Sequence, residues 1–171
     1  RRIAGSDILS SVVEVAQRNL SLLGVQGMSN RIREIYRTET EYGKSSHRHA
    51  RESAMRLRDR LAQELEGRSL ETRAFVCDAL SPGAILRGLS GEKPEIVIAD
   101  VPYGQRSEWL GETVPEPASC DRIEQLLDAL RAGLEPGCIV AIVSDKGQKA
   151  GHSAYQQLER FQIGKRRATL L

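Results

Sequence analysis

From Gly67 to the end of the chain, short apolar runs alternate with stretches of helical periodicity, and this alternation limits the chain to a small set of folds. Residues 73–77, 95–99, 138–143 and 167–171 have the length and branched apolar content of strands. Residues 82–89, 120–133 and 153–161 lie between them and read as helices; in 120–133 Ile123, Leu126, Leu127 and Leu130 fall on one face. The opening repeats the pattern. Residues 2–6 read as a strand ending on Asp7, and residues 11–23 as a helix with Val12, Val13, Ala16, Leu20 and Leu23 inward. Ser10 or Ser11 caps its start and Gly24 stops it. Strands alternating with helices predict an α/β fold, a doubly wound and mostly parallel sheet of Rossmann-like type, in one domain over residues 1–171. A chain of 171 residues buries a core without metal or disulfide support.

Residues 25–69 break the alternation and read as a helical insertion. Ile32, Ile35 and Tyr36 predict a short helix, Gly43-Lys44-Ser45-Ser46 a turn, and residues 49–66 an amphipathic helix with the stripe Ala54, Leu57, Leu61 and Leu65. Charge concentrates here. The formal net charge is only +2, yet residues 31–68 hold ten Lys/Arg against seven Asp/Glu, so the whole positive excess lies in this segment. One reading is a solvated hairpin whose arginines pair with Glu52, Asp59 and Glu64. The other is an arm that contacts nucleic-acid phosphates. Lys146, Lys149, Lys165, Arg166 and Arg167 either extend such a surface or are ordinary solvated charge.

Three cysteines, Cys77, Cys120 and Cys138, are odd in number and far apart, which excludes a disulfide framework and a zinc knuckle and suits a reducing cytoplasm. His47, His49 and His152 show no metal-ligand spacing, so no metal is expected. No run reaches the length of a membrane span, and no secretory signal opens the chain.

The chemistry concentrates where strands end, since ligands of doubly wound sheets sit outside the carboxyl ends of the strands. Asp7, Asp78 and Asp100 each follow a predicted strand. Singly, each reads as a turn residue; together they line one rim with acceptors suited to a ligand bearing hydroxyls and amines. Asp100-Val101-Pro102-Tyr103 is the sharpest signal, because it follows the strand Glu95-Ile96-Val97-Ile98-Ala99, expected to be buried. A carboxylate and a backbone carbonyl at such a turn accept the N–H groups of an aromatic amine, Pro102 stiffens the turn, and Tyr103 stacks on an extruded base. The bland alternative is an Asp-x-Pro turn with a tyrosine packed on the core. Trp109 likewise reads either as core or as a stacking residue beside the turn.

These residues resemble the class I S-adenosylmethionine-dependent methyltransferases, whose Asp/Asn-Pro-Pro-aromatic motif is matched by Asp100 to Tyr103 with Val101 in place of the first proline. More narrowly, the chain is similar to the avilamycin-resistance family of 23S ribosomal RNA guanine methyltransferases. Ser6-Asp7, Glu14 to Leu20, Glu41 with Gly43 to Ser46, Asp100 to Trp109 and Leu158 to Arg166 carry that likeness. It implies S-adenosylmethionine as cofactor, with Asp7 at the ribose, Asp78 and Ala79 at the adenine, and Asp100, Pro102 and Tyr103 as the catalytic turn. It also implies ribosomal RNA as partner, docked by Arg51, Arg56, Arg60 and Trp109, with a cytoplasmic, monomeric enzyme and a role in antibiotic resistance. Family members begin with a strand and a Gly-rich loop; no Gly-x-Gly pattern occurs in residues 1–171, so the expectation is a domain lacking that part. Two alternatives stay open. One is a methyltransferase acting on DNA or a protein amine; the other is a non-catalytic RNA-binding module.

Overall fold

The computed structural model describes residues 1–103, 108–111 and 121–171. They form two compact units, Arg1–Val76 and Cys77–Leu171.

In the first unit β1 (Arg2–Asp7) lies parallel to β2 (Glu71–Val76), in register from Arg2 opposite Glu71 to Asp7 opposite Val76. Helix α1 (Ser10–Ser21) packs on both strands, and the Gln17 side chain accepts a hydrogen bond from Ala74 N at 2.6 Å. The helix ends earlier than the expected stop at Gly24, at Ser21 with Leu22 as its C-cap residue. Gly24 is the extended N-cap residue of the next helix, α2 (Val25–Tyr42), with φ −113° and ψ 145°. Where a short helix around Tyr36 and a four-residue turn are expected, α2 is one continuous helix and the link to α3 (Ser45–Glu64) is only Gly43-Lys44. Gly43 takes φ 63°, left-handed, and its N–H closes the helix onto Glu39 O at 2.8 Å. The two helices pack together as a hairpin. Of the predicted stripe Ala54 is buried, whereas Leu57 is 57% exposed: a two-helix seam covers a narrower strip than a full core would.

The second unit holds α4 (Ala84–Leu89), α5 (Arg122–Arg131) and a four-stranded sheet in the order β3-β4-β6-β5. The strands are β3 (Ile96–Asp100), β4 (Ile139–Asp145), β5 (Glu159–Ile163) and β6 (Arg166–Leu170). Strand β3 is parallel to β4, while β4 and β6, and β5 and β6, pair antiparallel. The sheet is therefore mixed rather than mostly parallel. The reason is a second correction: the expected helix over residues 153–161 does not form. Tyr155, Leu158 and Phe161 have helix-like spacing, but β5 needs only the two-residue link Gly164-Lys165 to pair with β6 as a hairpin.

Helix α5 is built as expected. Asp121 caps it by accepting from Ile123 N at 2.9 Å, and Ile123, Leu126, Leu127 and Leu130 are all buried. They pack with Val140 and Ile142 of β4, Val101 and Leu171. Cys77 is buried and Cys138 half-buried, both as free thiols whose ionisation burial pushes up; Cys120 lies outside the described residues. Strand β3 corrects another expectation. Val97 and Ala99 face the core, but Ile96 and Ile98 on the opposite face are 63% and 74% exposed, because among the described residues no layer covers that face. None of the helices described is long and apolar enough to cross a membrane.

Candidate active site

Four aspartates, not three, close the parallel strands. Asp145 ends β4, two residues beyond where the apolar run stops, so the sequence pattern hides it. Three of the four are held identically. The carboxylate of Asp7 accepts from Leu9 N at 2.9 Å, that of Asp78 from Leu80 N at 3.0 Å, and that of Asp145 from Gly147 N at 2.8 Å. Each is an Asx turn, in which the side chain bonds the backbone two residues on. This is the bland turn reading, realised three times.

Asp100 is the exception, and the cause is covalent. Two residues on stands Pro102, which has no N–H to donate. The Asp100 carboxylate instead accepts from the Tyr103 hydroxyl. That bond, followed by burial and by the negative charge of Asp100, raises the Tyr103 ionisation above its ordinary value. Asp100 is exposed, so this carboxylate faces outward without the backbone bond that ties the others. The guanidinium of Arg166 lies over the Tyr103 ring, 5.3 Å from its centroid.

The turn is anchored from two sides. Val101 N donates to Val143 O at 2.9 Å and extends the β3–β4 ladder one residue beyond Asp100; the Val101 side chain is 4% exposed. A proline at this position would forfeit that bond. On the other side Gln148, which nothing in the sequence singled out, donates from Nε2 to Pro102 O at 3.0 Å and accepts from Asp145 N at 2.9 Å. Its amide thus fastens the turn after β3 to the end of β4. The Asp145-Lys146-Gly147-Gln148 turn was the available signal.

The remaining predicted residues are placed as follows. Asp7 belongs to the first unit, Asp78 and Asp100 to the second. Gly111, at φ 139°, lies so close to Asp78 that a Cβ there would come within 2.6 Å of the carboxylate. Ala79 is half-buried against the core, and so is Trp109, which is therefore chiefly a packing residue with part of its ring accessible. In the hairpin, Arg51 is committed to an ion pair with Glu39 at 2.7 Å and lies 5.8 Å from the Tyr36 ring centroid. Its bond to Glu39 holds the Arg51 guanidinium proton more tightly than usual. Arg56 bonds only Ser53 and Arg60 has no partner among the described residues; both are exposed. Among the described residues no three His, Cys, Asp or Glu side chains gather in a way that would hold a metal ion.

The second unit thus joins a mixed α/β sheet to an aspartate free of backbone bonds in an Asp-x-Pro-aromatic turn at a strand end. The family model of the rRNA methyltransferase AviRa matches residues 1–166, and the chain belongs to that family. It is 33% identical over 171 residues to a 23S rRNA (guanine(2535)-N(1))-methyltransferase of Streptomyces viridochromogenes, covering 100% of this chain and 65% of the relative. Two solved structures of the rRNA methyltransferase aviRa from the same organism, at 2.4 Å and 1.5 Å, superpose with a TM-score of 0.82 at 32% identity. The match spans 100% of this chain and 66% of theirs, so the chain has about two thirds of their length.

Proposed function

We propose that the chain is the catalytic part of a ribosomal RNA methyltransferase that transfers a methyl group from S-adenosylmethionine to a guanine of the large-subunit RNA, with N1 as the target atom. The observation that carries this reading is the Asp100 carboxylate, freed from the backbone by Pro102. Guanine N1 carries a proton whose loss leaves an in-plane lone pair, and a neutral lactam nitrogen is a poor nucleophile. Asp100 accepts N1–H, and the Pro102 carbonyl, steadied by Gln148, accepts an adjacent N–H. Tyr103 holds the carboxylate with its hydroxyl and offers the base the ring face opposite Arg166. Catalysis of this kind is positioning and charge.

The cofactor supplies a methyl group on a positively charged sulfur. After its Asx turn Asp7 keeps a second carboxylate oxygen for ribose hydroxyls; Asp78 does the same beside Gly111 for an amine, with Ala79 next to it. The face of β3 that bears Ile96 and Ile98 suits a covering segment from outside residues 1–171, and that segment would carry the Gly-rich loop for the methionine part. On this reading the domain covers residues 1–171 and more, with 25–69 as an RNA-docking arm through Arg56 and Arg60, in a cytoplasmic, monomeric resistance enzyme.

The test is single-turnover methylation of a 23S rRNA fragment by the whole protein. Folded Asp100→Ala should lose most of its rate, by a factor on the order of 100 or more, the scale of a removed acid–base or charge-stabilising group. Asp100→Asn should retain part of it. A near-normal rate for Asp100→Ala overturns the assignment. The exposed face of β3 favours a second reading for residues 1–171 taken alone: RNA binding without cofactor binding. Calorimetry with S-adenosylmethionine on this chain and on an upstream-extended one separates the two, since only the extended chain should bind tightly.

A further inference from the structure

Away from the Asp100 carboxylate, the second unit has a cavity of about 300 Å³ between the loop after β4 and the face of β5 and β6. Lys149, Gly151, Arg160, Arg167 and Thr169 are among its walls, and none of the described residues lining it is acidic. Strand register explains the grouping. Arg160 stands directly opposite Thr169, and Arg167, two residues earlier in β6, shares that face. Ser144 of β4 stands opposite Arg167 on the other side.

Two facts mark this cavity as built for a ligand. The hydroxyl of Thr169, a wall residue, is buried and has no hydrogen-bond partner, although buried polar groups are nearly always paired. Lys149 and Arg160 make no ion pair among the described residues, and the one described bond of Arg167 is a long one, 3.4 Å to Gln148 O. Three cations and an orphaned hydroxyl thus line one cleft, and among the described residues no carboxylate pairs with Lys149 or Arg160. A phosphate supplies what the cations lack, negative charge, and its several acceptor oxygens suit a cleft whose Thr169 hydroxyl is left without an acceptor.

We propose that this cleft is a subsite for a backbone phosphate of the RNA strand next to the target nucleotide. The inference builds on the RNA-methyltransferase reading and adds to it a place where the strand is gripped. Its position supports a strand rather than a free ion. Arg167 contacts Gln148, whose amide holds Pro102, and the preceding residue, Arg166, lies over Tyr103. Strand β6 therefore links the two places through adjacent residues whose side chains leave on opposite faces, Arg166 at the Tyr103 ring and Arg167 at the cleft. Phosphate contacts of this sort fix register without reading sequence.

The test uses the whole protein, a short single-stranded RNA and salt titrations of binding. Lys149→Gln and Arg160→Gln should each lower the slope of log affinity against log salt by about 0.7, the release expected per phosphate contact on a single strand. Arg131→Gln, an exposed change on α5, should leave it unaltered. Thr169→Val should weaken RNA binding with melting temperature unchanged or raised, since it removes an unpaired buried hydroxyl. Arg167 is kept, because it also touches Gln148. Unchanged slopes in folded Lys149→Gln and Arg160→Gln overturn the proposal. So does tight calorimetric binding of inorganic phosphate that Arg160→Gln abolishes while the RNA slope stays fixed, which would make the site one for the free anion. Binding is read without cofactor or turnover, so a protein that transferred no methyl group would still show the slopes.

Discussion

The two units of this molecule bury very different amounts of themselves. Among the described residues, the only buried apolar one in Arg1–Val76 is Ala54, whereas Cys77–Leu171 encloses a contiguous core of α5, β4, Val101 and Leu171. The difference follows from layering. In the second unit a helix with four inward apolar residues packs with Val140 and Ile142 of the central strand β4, which are fully buried. The first unit has one helix on two strands and a polar helical hairpin, so most of its apolar side chains keep one side in water. The aspartate free of backbone bonds lies in the second unit, and the exposed Arg56 and Arg60 lie in the hairpin of the first. On the proposed function, the first unit would dock RNA and the second would carry the chemistry.

The largest break of this comparison comes from the core. Leu127→Ala should destabilise the protein by about 2–5 kcal/mol, because it empties a fully buried position, whereas Leu57→Ala in the hairpin should stay within about 0.5 kcal/mol. Urea unfolding of both variants measures this; equal costs would mean the hairpin seam is as well packed as the core. A smaller effect, on rate rather than stability, should follow from Pro102→Ala. It restores an N–H two residues after Asp100, and the carboxylate should then adopt the Asx turn seen at Asp7, Asp78 and Asp145. A competing hydrogen bond of this kind is worth about 1 kcal/mol, so single-turnover rate should fall several-fold to tenfold with melting temperature held. An undiminished rate would remove the special standing of Asp100. The smallest effect should be that of Arg56→Ala with Arg60→Ala on the arm. Together they should reduce the salt slope of RNA binding by roughly 1.4 to 1.8, at roughly 0.7 to 0.9 per phosphate contact, with stability nearly constant. A constant slope would return the hairpin to a solvated structural role.

Much of the second unit was legible in the sequence. The face Ile123, Leu126, Leu127 and Leu130 and the strand that runs into Asp100 follow from periodicity, as does the strand ending at Asp7 in the first unit, although β3 buries only one of the two faces its apolar run marks. So does the unusual state of Asp100, since a proline two residues on removes the donor wherever the turn is placed. Other features belonged to the tertiary structure. The Tyr155, Leu158 and Phe161 spacing suits a helix until β6 offers β5 a hairpin partner, and pairing across strands overrides local spacing. Gln148 and Thr169 are unremarkable in one dimension. Only the fold brings the Gln148 amide to Pro102, 46 residues away, and only strand register sets Thr169 beside Arg160 under a cavity. Periodicity records which way a side chain faces, but long-range pairing decides what it meets there.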